Sequence, residues 1–186
     1  MRKFAILLTF FLFANTQAAS RVEPFLNSNY QPVNIKLDNE ALEQIWEYVK
    51  QETGADPDFP APKMYAYDGV LPRGSLMAFS YPTAGKDGTL GVFVPYSTVR
   101  TMGRDEPQRF LWSIGHEFTH YTMFLRKNNW QFKKQFPLNT DQHCDQEFQR
   151  ITRGIADLLY QKYRSDSARQ VMYNEVDRAC RAAPEQ

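Results

Sequence analysis

Residues 110–125 read FLWSIGHEFTHYTMFL and hold two of the three histidines of this 186-residue chain. Apolar residues recur there at helical spacing, at Leu111, Ile114, Phe118, Tyr121 and Leu125. Acidic residues just upstream suit a helix N-terminus, so we predict a helix from Asp105 or Glu106 to Arg126. Trp112 and Met123 add a second apolar side. The pattern therefore predicts a helix packed between other elements.

The centre of this helix carries the motif His116-Glu117-Phe118-Thr119-His120, an HExxH arrangement. Two histidines four residues apart lie one turn apart on the same helical face, so both imidazoles can bind one metal ion. The carboxylate of Glu117 lies beside them, where it can take a proton from an attacking water as a general base. The alternative is a surface helix whose two histidines and glutamate are simply solvated.

The other apolar patterns place this helix within an α+β domain. They predict an opening helix, three strands and two closing helices, in this order: Asp38 to about Thr53, 63–67, 75–81, 89–94, about 141–164 and about 167–182. The three strands are expected to form a small antiparallel or mixed sheet. We find no internal repeat and no second apolar core, so a single domain is predicted.

The N-terminus carries the pattern of an export signal. Two basic residues, Arg2 and Lys3, precede an apolar run over residues 4–14 and a small-residue stretch that ends near Ala18. The run has about half of the roughly 20 residues that a membrane-spanning helix needs. We therefore predict a signal peptide over residues 1–18 and a mature domain over residues 19–186, with no membrane span after cleavage and a periplasmic or secreted destination.

Export changes the interpretation of the two cysteines. Exported compartments are oxidising, and Cys144 and Cys180 are the only possible pair. A disulfide between them would join the last two predicted helices; two separate buried thiols are the alternative. The formal net charge of +1, with both signs scattered along the chain, argues against a nucleic-acid-binding surface.

The five motif residues and the order strands, helix, helix resemble the zincin metallopeptidases, and in particular their minimal gluzincin type. The resemblance covers about residues 63–160. It implies a zinc ion bound by His116 and His120, and a third ligand, usually Glu, on the helix that follows. The metzincin extension is absent, because no Gly and His follow His120 at that family's spacing.

A catalytic zinc site needs three protein ligands and one open position, so the third ligand must come from another segment. The best source is residues 141–148, at the start of the next predicted helix. The inward stripe of that helix is defined by Cys144, Phe148, Ile151, Ile155 and Leu158. Glu147 lies about 60° from the centre of this stripe and His143 about 100° away. We therefore predict Glu147 as the third ligand and keep His143 as the alternative.

The role of His143 and the partner of the first ligand histidine stay open at this point. His143 could instead donate a hydrogen bond to the developing oxyanion of a peptide substrate. Gluzincins commonly have an Asp four residues after the ligand Glu, but this chain has Ile151 there. Asp145 and Asp157 are therefore the candidates to orient His116, or they are solvated surface charges.

Together these features predict an exported hydrolase, a zinc-dependent peptidase with Zn²⁺ as cofactor. Its substrate would be a peptide or protein, which could pair with an edge of the sheet, and the strand at 89–94 is the best candidate for that edge. The alternative from another class is a non-catalytic zinc-binding or interaction domain whose metal is structural. Glu117 favours catalysis, since a structural site needs no base beside its ligands.

Overall fold

The computed structural model describes residues 22, 23, 25–27, 29, 31–69, 78–80, 91–127 and 142–182, with no account of the side chains of residues 78–80, 127, 142 and 182. The predicted signal peptide lies outside these residues, so the boundary at residue 18 and the extent of the mature domain stay predictions. Within the described residues, no helix is both long enough and apolar enough to cross a membrane.

The predicted α+β class is confirmed. Helices and strands of the described residues follow in this order: α1 (Asn39–Thr53), β1 (Lys63–Tyr67), β2 (Ala78–Ser80), β3 (Gly91–Pro95), α2 (Tyr96–Asp105), α3 (Pro107–Lys127), a short 3-10 helix (Gln142–Cys144), α4 (Gln146–Tyr163) and α5 (Asp166–Ala182). The first helix and the first strand begin and end where the sequence pattern predicts them.

The sheet is mixed, as predicted, with the strand order β1-β3-β2. β3 pairs in parallel with β1 and antiparallel with β2. The expectation that the strand at 89–94 offers a free edge is therefore wrong, because the ladders on both sides use its backbone N–H and C=O groups. On the outer side of β1, Leu26 accepts a hydrogen bond from Ala66 N at 2.7 Å and donates one to Met64 O at 2.8 Å.

One helix was not predicted, and it shortens the next one. α2 follows β3 directly and buries Thr98, Val99 and Met102. It ends where the N–H of Glu106 bonds to Met102 O, so α3 begins at Pro107 rather than at residue 105 or 106. A proline suits the first helical position, because its missing N–H would have had no partner in the helix.

The start of α4 also differs from the prediction. Residues 142–144 form a 3-10 helix, and α4 begins only at Gln146. The carboxylate of Asp145 accepts hydrogen bonds from the N–H groups of Glu147 at 2.8 Å and Phe148 at 3.1 Å. Asp145 is thus the N-cap residue of α4, and the residues before it do not share the helical periodicity of α4.

Helix α3 forms the centre of the packing, as predicted from its two apolar sides. Every residue from Phe110 to Leu125 is buried except the two histidines His116 and His120, which are partly exposed. The indole Nε1 of Trp112 donates to the carbonyl of Thr152 at 2.9 Å and joins α3 to α4. The histidine face is therefore the one opening in an otherwise enclosed stretch of helix.

The close approach of the helices depends on Gly115. A methyl group built at this position would lie 2.6 Å from Ile45 Cγ2 on α1 and 3.1 Å from Ile155 Cδ1 on α4. Both isoleucines are fully buried. The missing side chain of Gly115 thus lets α1 and α4 pack directly against α3, one residue before the first histidine of the motif.

A second set of contacts joins the start of α1 to the end of α4. The Asp38 carboxylate accepts hydrogen bonds from the Ala41 N–H at 3.0 Å, from Lys162 Nζ at 3.3 Å and from the Tyr163 hydroxyl. Asp38 is therefore the N-cap of α1 and also a contact with the end of α4. Burial raises the pKa of Asp38, but the bonds from Tyr163, Ala41 and Lys162 outweigh it and hold the pKa below its ordinary value.

We expect Gly115→Ala to destabilise the protein by about 1–3 kcal/mol, because its methyl group overlaps two side chains that cannot move away. Gly103→Ala on α2 is the matched control: its methyl group would lie 3.8 Å from the Phe110 ring, an ordinary contact. The control should be neutral or more stable by up to about 1 kcal/mol, since alanine favours helix. Urea unfolding of both variants checks this, and equal stabilities would contradict the packing argument.

Asp38 should also make the stability depend on pH. Its pKa is lower in the folded than in the unfolded chain, so its stabilisation is present above the unfolded value near 4 and is lost as the pH falls through the folded value. Asp38→Asn can still cap α1 but does not titrate. We expect the free energy of unfolding of the variant to fall less steeply than that of wild type between pH 5 and 2. Parallel curves would contradict this role.

Candidate metal centre

Helix α3 places the two histidines of the motif on its open face. The Nε2 atoms of His116 and His120 lie 3.2 Å apart, and their rings meet edge to face. Glu117 follows His116 and is only 7% exposed. In an α-helix it lies about 60° around the axis from His120. The predicted arrangement of ligand pair and adjacent carboxylate is therefore present on one helix.

A third imidazole completes the cluster. His143, in the 3-10 helix before α4, places its Nε2 atom 3.2 Å from Nε2 of His116 and 3.2 Å from Nε2 of His120. The three nitrogens thus form a triangle with nearly equal sides. Among the described residues, these three form the group of side chains that could hold a metal ion.

The triangle has the dimensions of a metal site. Three nitrogens about 2.0–2.1 Å from a tetrahedral ion would lie about 3.3 Å from one another, close to the 3.2 Å observed. Hydrogen bonds cannot satisfy all three sides of this triangle: each neutral imidazole nitrogen either donates or accepts, so at least two of the three Nε2 atoms have the same role. Imidazole donors suit Zn²⁺, Cu²⁺, Ni²⁺ and Fe²⁺, so the residues fit a metal ion without selecting one.

The environment favours the neutral form of His116, the form in which an imidazole can bind a metal ion. Burial of the His116 ring, with smaller contributions from His120 and His143, lowers its pKa well below the ordinary histidine value. A neutral imidazole is the form that binds metal, so no proton has to be removed at neutral pH.

The Phe148 ring packs against all three imidazoles. Its ring centroid lies 4.9 Å from that of His116, 4.3 Å from that of His120 and 5.5 Å from that of His143. Phe148 is 1% exposed, so its position is fixed by the core. The sequence places Phe148 on the inward stripe of α4 but does not reveal its contact with the histidines.

Glu147, the predicted third ligand, does not join the cluster. Its two carboxylate oxygens accept hydrogen bonds from Arg126 at 2.8 and 2.6 Å. The hydrogen bond from Arg126, aided by charge attraction, outweighs burial and lowers the pKa of Glu147. The structure therefore brings the alternative ligand, His143, to the pair and leaves Glu147 in an ion pair with the end of α3.

The reason lies in the true inward face of α4. Its buried residues are Phe148, Ile151, Thr152, Ile155, Ala156 and Leu159. Cys144 precedes the helix and is exposed, and Leu158 is only partly buried. On this corrected wheel Glu147 lies about 110° from the centre of the buried face. The predicted inward face of α4 included Cys144 and Leu158, and these two residues placed its centre closer to Glu147 than it is in the structure.

The two acidic candidates for orienting His116 have other partners. Asp145 caps α4, and Asp157 accepts hydrogen bonds from Arg169 Nε and the Tyr173 hydroxyl, both at 2.7 Å. Nδ1 of His116 is buried, and no described residue provides it with a hydrogen-bond partner. Neither aspartate therefore supports the first ligand.

The predicted disulfide is confirmed. Cys144 and Cys180 are bonded, with their Cα atoms 4.7 Å apart and a sequence separation of 36. Cys144 directly follows His143, so the bond ties the 3-10 helix that carries the third imidazole to α5. A loop of this length corresponds to roughly 4 kcal/mol in the chain-entropy view of disulfide stabilisation.

Comparisons with known protein families, with curated proteins and with solved structures return no match to this chain. The site is therefore interpreted from its own geometry: three imidazoles that could hold a metal ion, with a carboxylate next to one of them on the same helix.

Metal binding should distinguish the two predicted third ligands. We expect His143→Ala to weaken Zn²⁺ binding by more than about 100-fold, beyond what losing an outer-shell partner usually costs. Glu147→Gln keeps the shape of the side chain and removes only its charge, and it should stay within a few fold of wild type. Competition with a chromophoric chelator measures both. A large loss in Glu147→Gln with none in His143→Ala would restore Glu147 as the ligand.

Proposed function

We propose that the protein is an exported zinc-dependent peptidase that hydrolyses peptide bonds with Glu117 as general base. The observation that carries the proposal is the convergence of three imidazole Nε2 atoms at 3.2 Å beside an HExxH glutamate. This is the donor number of catalytic zinc sites, together with the carboxylate that such a site uses.

Each residue has a defined part in the proposed reaction. His116, His120 and His143 would hold the ion. When bound, Zn²⁺ supplies Lewis-acid polarisation of the scissile carbonyl and makes water at the site more acidic. Glu117 would accept the proton of the attacking water and return it to the leaving amine. Glu117 is only 7% exposed, so the carboxylate has little contact with bulk water.

The number of ligands favours catalysis over a structural metal. Structural zinc sites are usually closed by four protein ligands, whereas catalytic sites keep one position open. The described residues supply three, because both oxygens of Glu147 are bonded to Arg126. A purely structural site would also need no base at position 117.

The disulfide supports an oxidising compartment, which agrees with the predicted signal peptide and a periplasmic or secreted destination. The proposed substrate is a peptide or protein. Since β3 is central, an extended peptide would pair instead with β2, one of the two outer strands of the described sheet. β2 contacts α3, whereas the outer side of β1 is already bonded to Leu26.

The Glu117→Gln variant tests the mechanism. It should bind Zn²⁺ like wild type but hydrolyse a mixed peptide library about 10²–10⁴-fold more slowly, the usual contribution of a general base. Glu40→Gln, at a site whose side chain is 77% exposed on α1, is the matched control and should keep full activity. Mass spectrometry of the products and metal analysis measure both properties.

Hydrolysis that survives in Glu117→Gln would rule out this base. Stoichiometric zinc in wild type with no hydrolysis of any peptide would favour the alternative, a non-catalytic domain with a structural metal. Wild type without bound metal would contradict both functions.

A further inference from the structure

We propose that the Cys144–Cys180 disulfide is a redox-sensitive positioning device for His143, so that reduction of this bond weakens the metal centre. The inference rests on the proposed metal site, but it concerns its regulation rather than its chemistry. It predicts a protein that binds metal tightly only in an oxidising compartment.

The three ligands are held in very different ways. His116 and His120 belong to the 21-residue helix α3, which is enclosed on nearly all sides. His143 belongs to a 3-10 helix of three residues. Such short helices have poor hydrogen-bond geometry and little stability of their own. The position of the third imidazole therefore depends on the contacts that this short segment makes.

The described contacts of that segment include two with α4 and one covalent bond to α5. The side-chain amide of Gln149 donates to the His143 carbonyl at 3.1 Å, and the His143 ring packs perpendicular to the Phe148 ring, with 5.5 Å between centroids. The third restraint is covalent: Cys144 is bonded to Cys180. A hydrogen bond and a ring contact can open and close thermally, whereas the disulfide cannot, so it is the strongest of these restraints on His143.

The anchor at the other end of the disulfide is firm. Helix α5 buries Met172 completely and Val176 to within 2% exposure. Its Glu175 forms an ion pair with Arg109 of α3 at 2.9 Å. α5 is thus attached directly to the helix that carries the other two ligands. Through Cys180 the disulfide places His143 relative to His116 and His120.

The bond is also accessible to a reductant. Cys144 is exposed and Cys180 is partly exposed. A dithiol can attack one sulfur, form a mixed disulfide and then close on itself. The products are one oxidised dithiol and two protein thiols, so two electrons and two protons pass to Cys144 and Cys180. The buried contacts of α3, α4 and α5 do not involve these sulfurs, so the effect falls on His143.

Zinc titration of the oxidised and reduced protein tests the proposal. The reductant should be a phosphine, which consumes one water and leaves two thiols and a phosphine oxide without adding a thiol that competes for zinc. We expect reduced wild type to bind Zn²⁺ about 10–100-fold more weakly than oxidised wild type, the range seen when a residue that orients a ligand is lost. The double variant Cys144→Ser, Cys180→Ser should bind weakly and should not respond to the phosphine.

The His143→Ala variant separates positioning from general stability. His143→Ala has no third imidazole for the disulfide to position. Oxidised and reduced His143→Ala should therefore bind Zn²⁺ equally. An equal loss on reduction in both backgrounds, including a loss caused by unfolding, would overturn the proposal. Equal zinc affinity of oxidised and reduced wild type would also overturn it while leaving the peptidase intact. Conversely, a redox effect on zinc binding in a protein that hydrolyses no peptide would leave this inference standing without the proposed function.

Discussion

The close crossing of three helices at Gly115 is the constraint on which the rest of the structure depends. α1 and α4 touch α3 there through Ile45 and Ile155, at a distance that any larger side chain would increase. The crossing lies one residue before His116. It therefore fixes the depth at which the motif lies in the molecule and brings α4 close enough for Phe148 to pack beneath the histidines.

The candidate metal centre combines residues that are close in sequence, on α3, with a histidine from a separate segment of the chain. Two histidines and the carboxylate of Glu117 come from one helical turn, where backbone geometry alone places them together. The third imidazole comes from a segment that has little order of its own. It depends on a hydrogen bond from Gln149, an aromatic ring in the core and a disulfide to α5. The 3-10 helix that carries His143 is thus the least firmly held part of the site, and it is also the part that completes the group of three imidazoles.

The ion pair between Arg126 and Glu147 shows how a carboxylate near a metal site can serve another purpose. Both side chains are more than one third exposed, so the pair contributes little to stability in water. Arg126 also donates to the carbonyl of Thr53 at 3.2 Å, and so it joins the ends of α1 and α3 to the start of α4. The pair leaves the cluster with three imidazoles and keeps the anionic side chain of Glu147 outside it.

The sequence by itself determined the features that depend on neighbouring residues: the HExxH face of α3, the bounds of α1 and β1, the α+β class and the pairing of two cysteines. It named both candidates for the third ligand and ranked Glu147 first, whereas the structure places His143 beside the other two histidines. The position of each side chain depends on where α4 begins. The Asp145 cap fixes the start of α4, and the ion pair with Arg126 holds Glu147 away from the histidines. Helical periodicity predicts neither contact. The central place of β3 was likewise decided only by tertiary structure, since strand order arises from pairing between segments far apart in the chain.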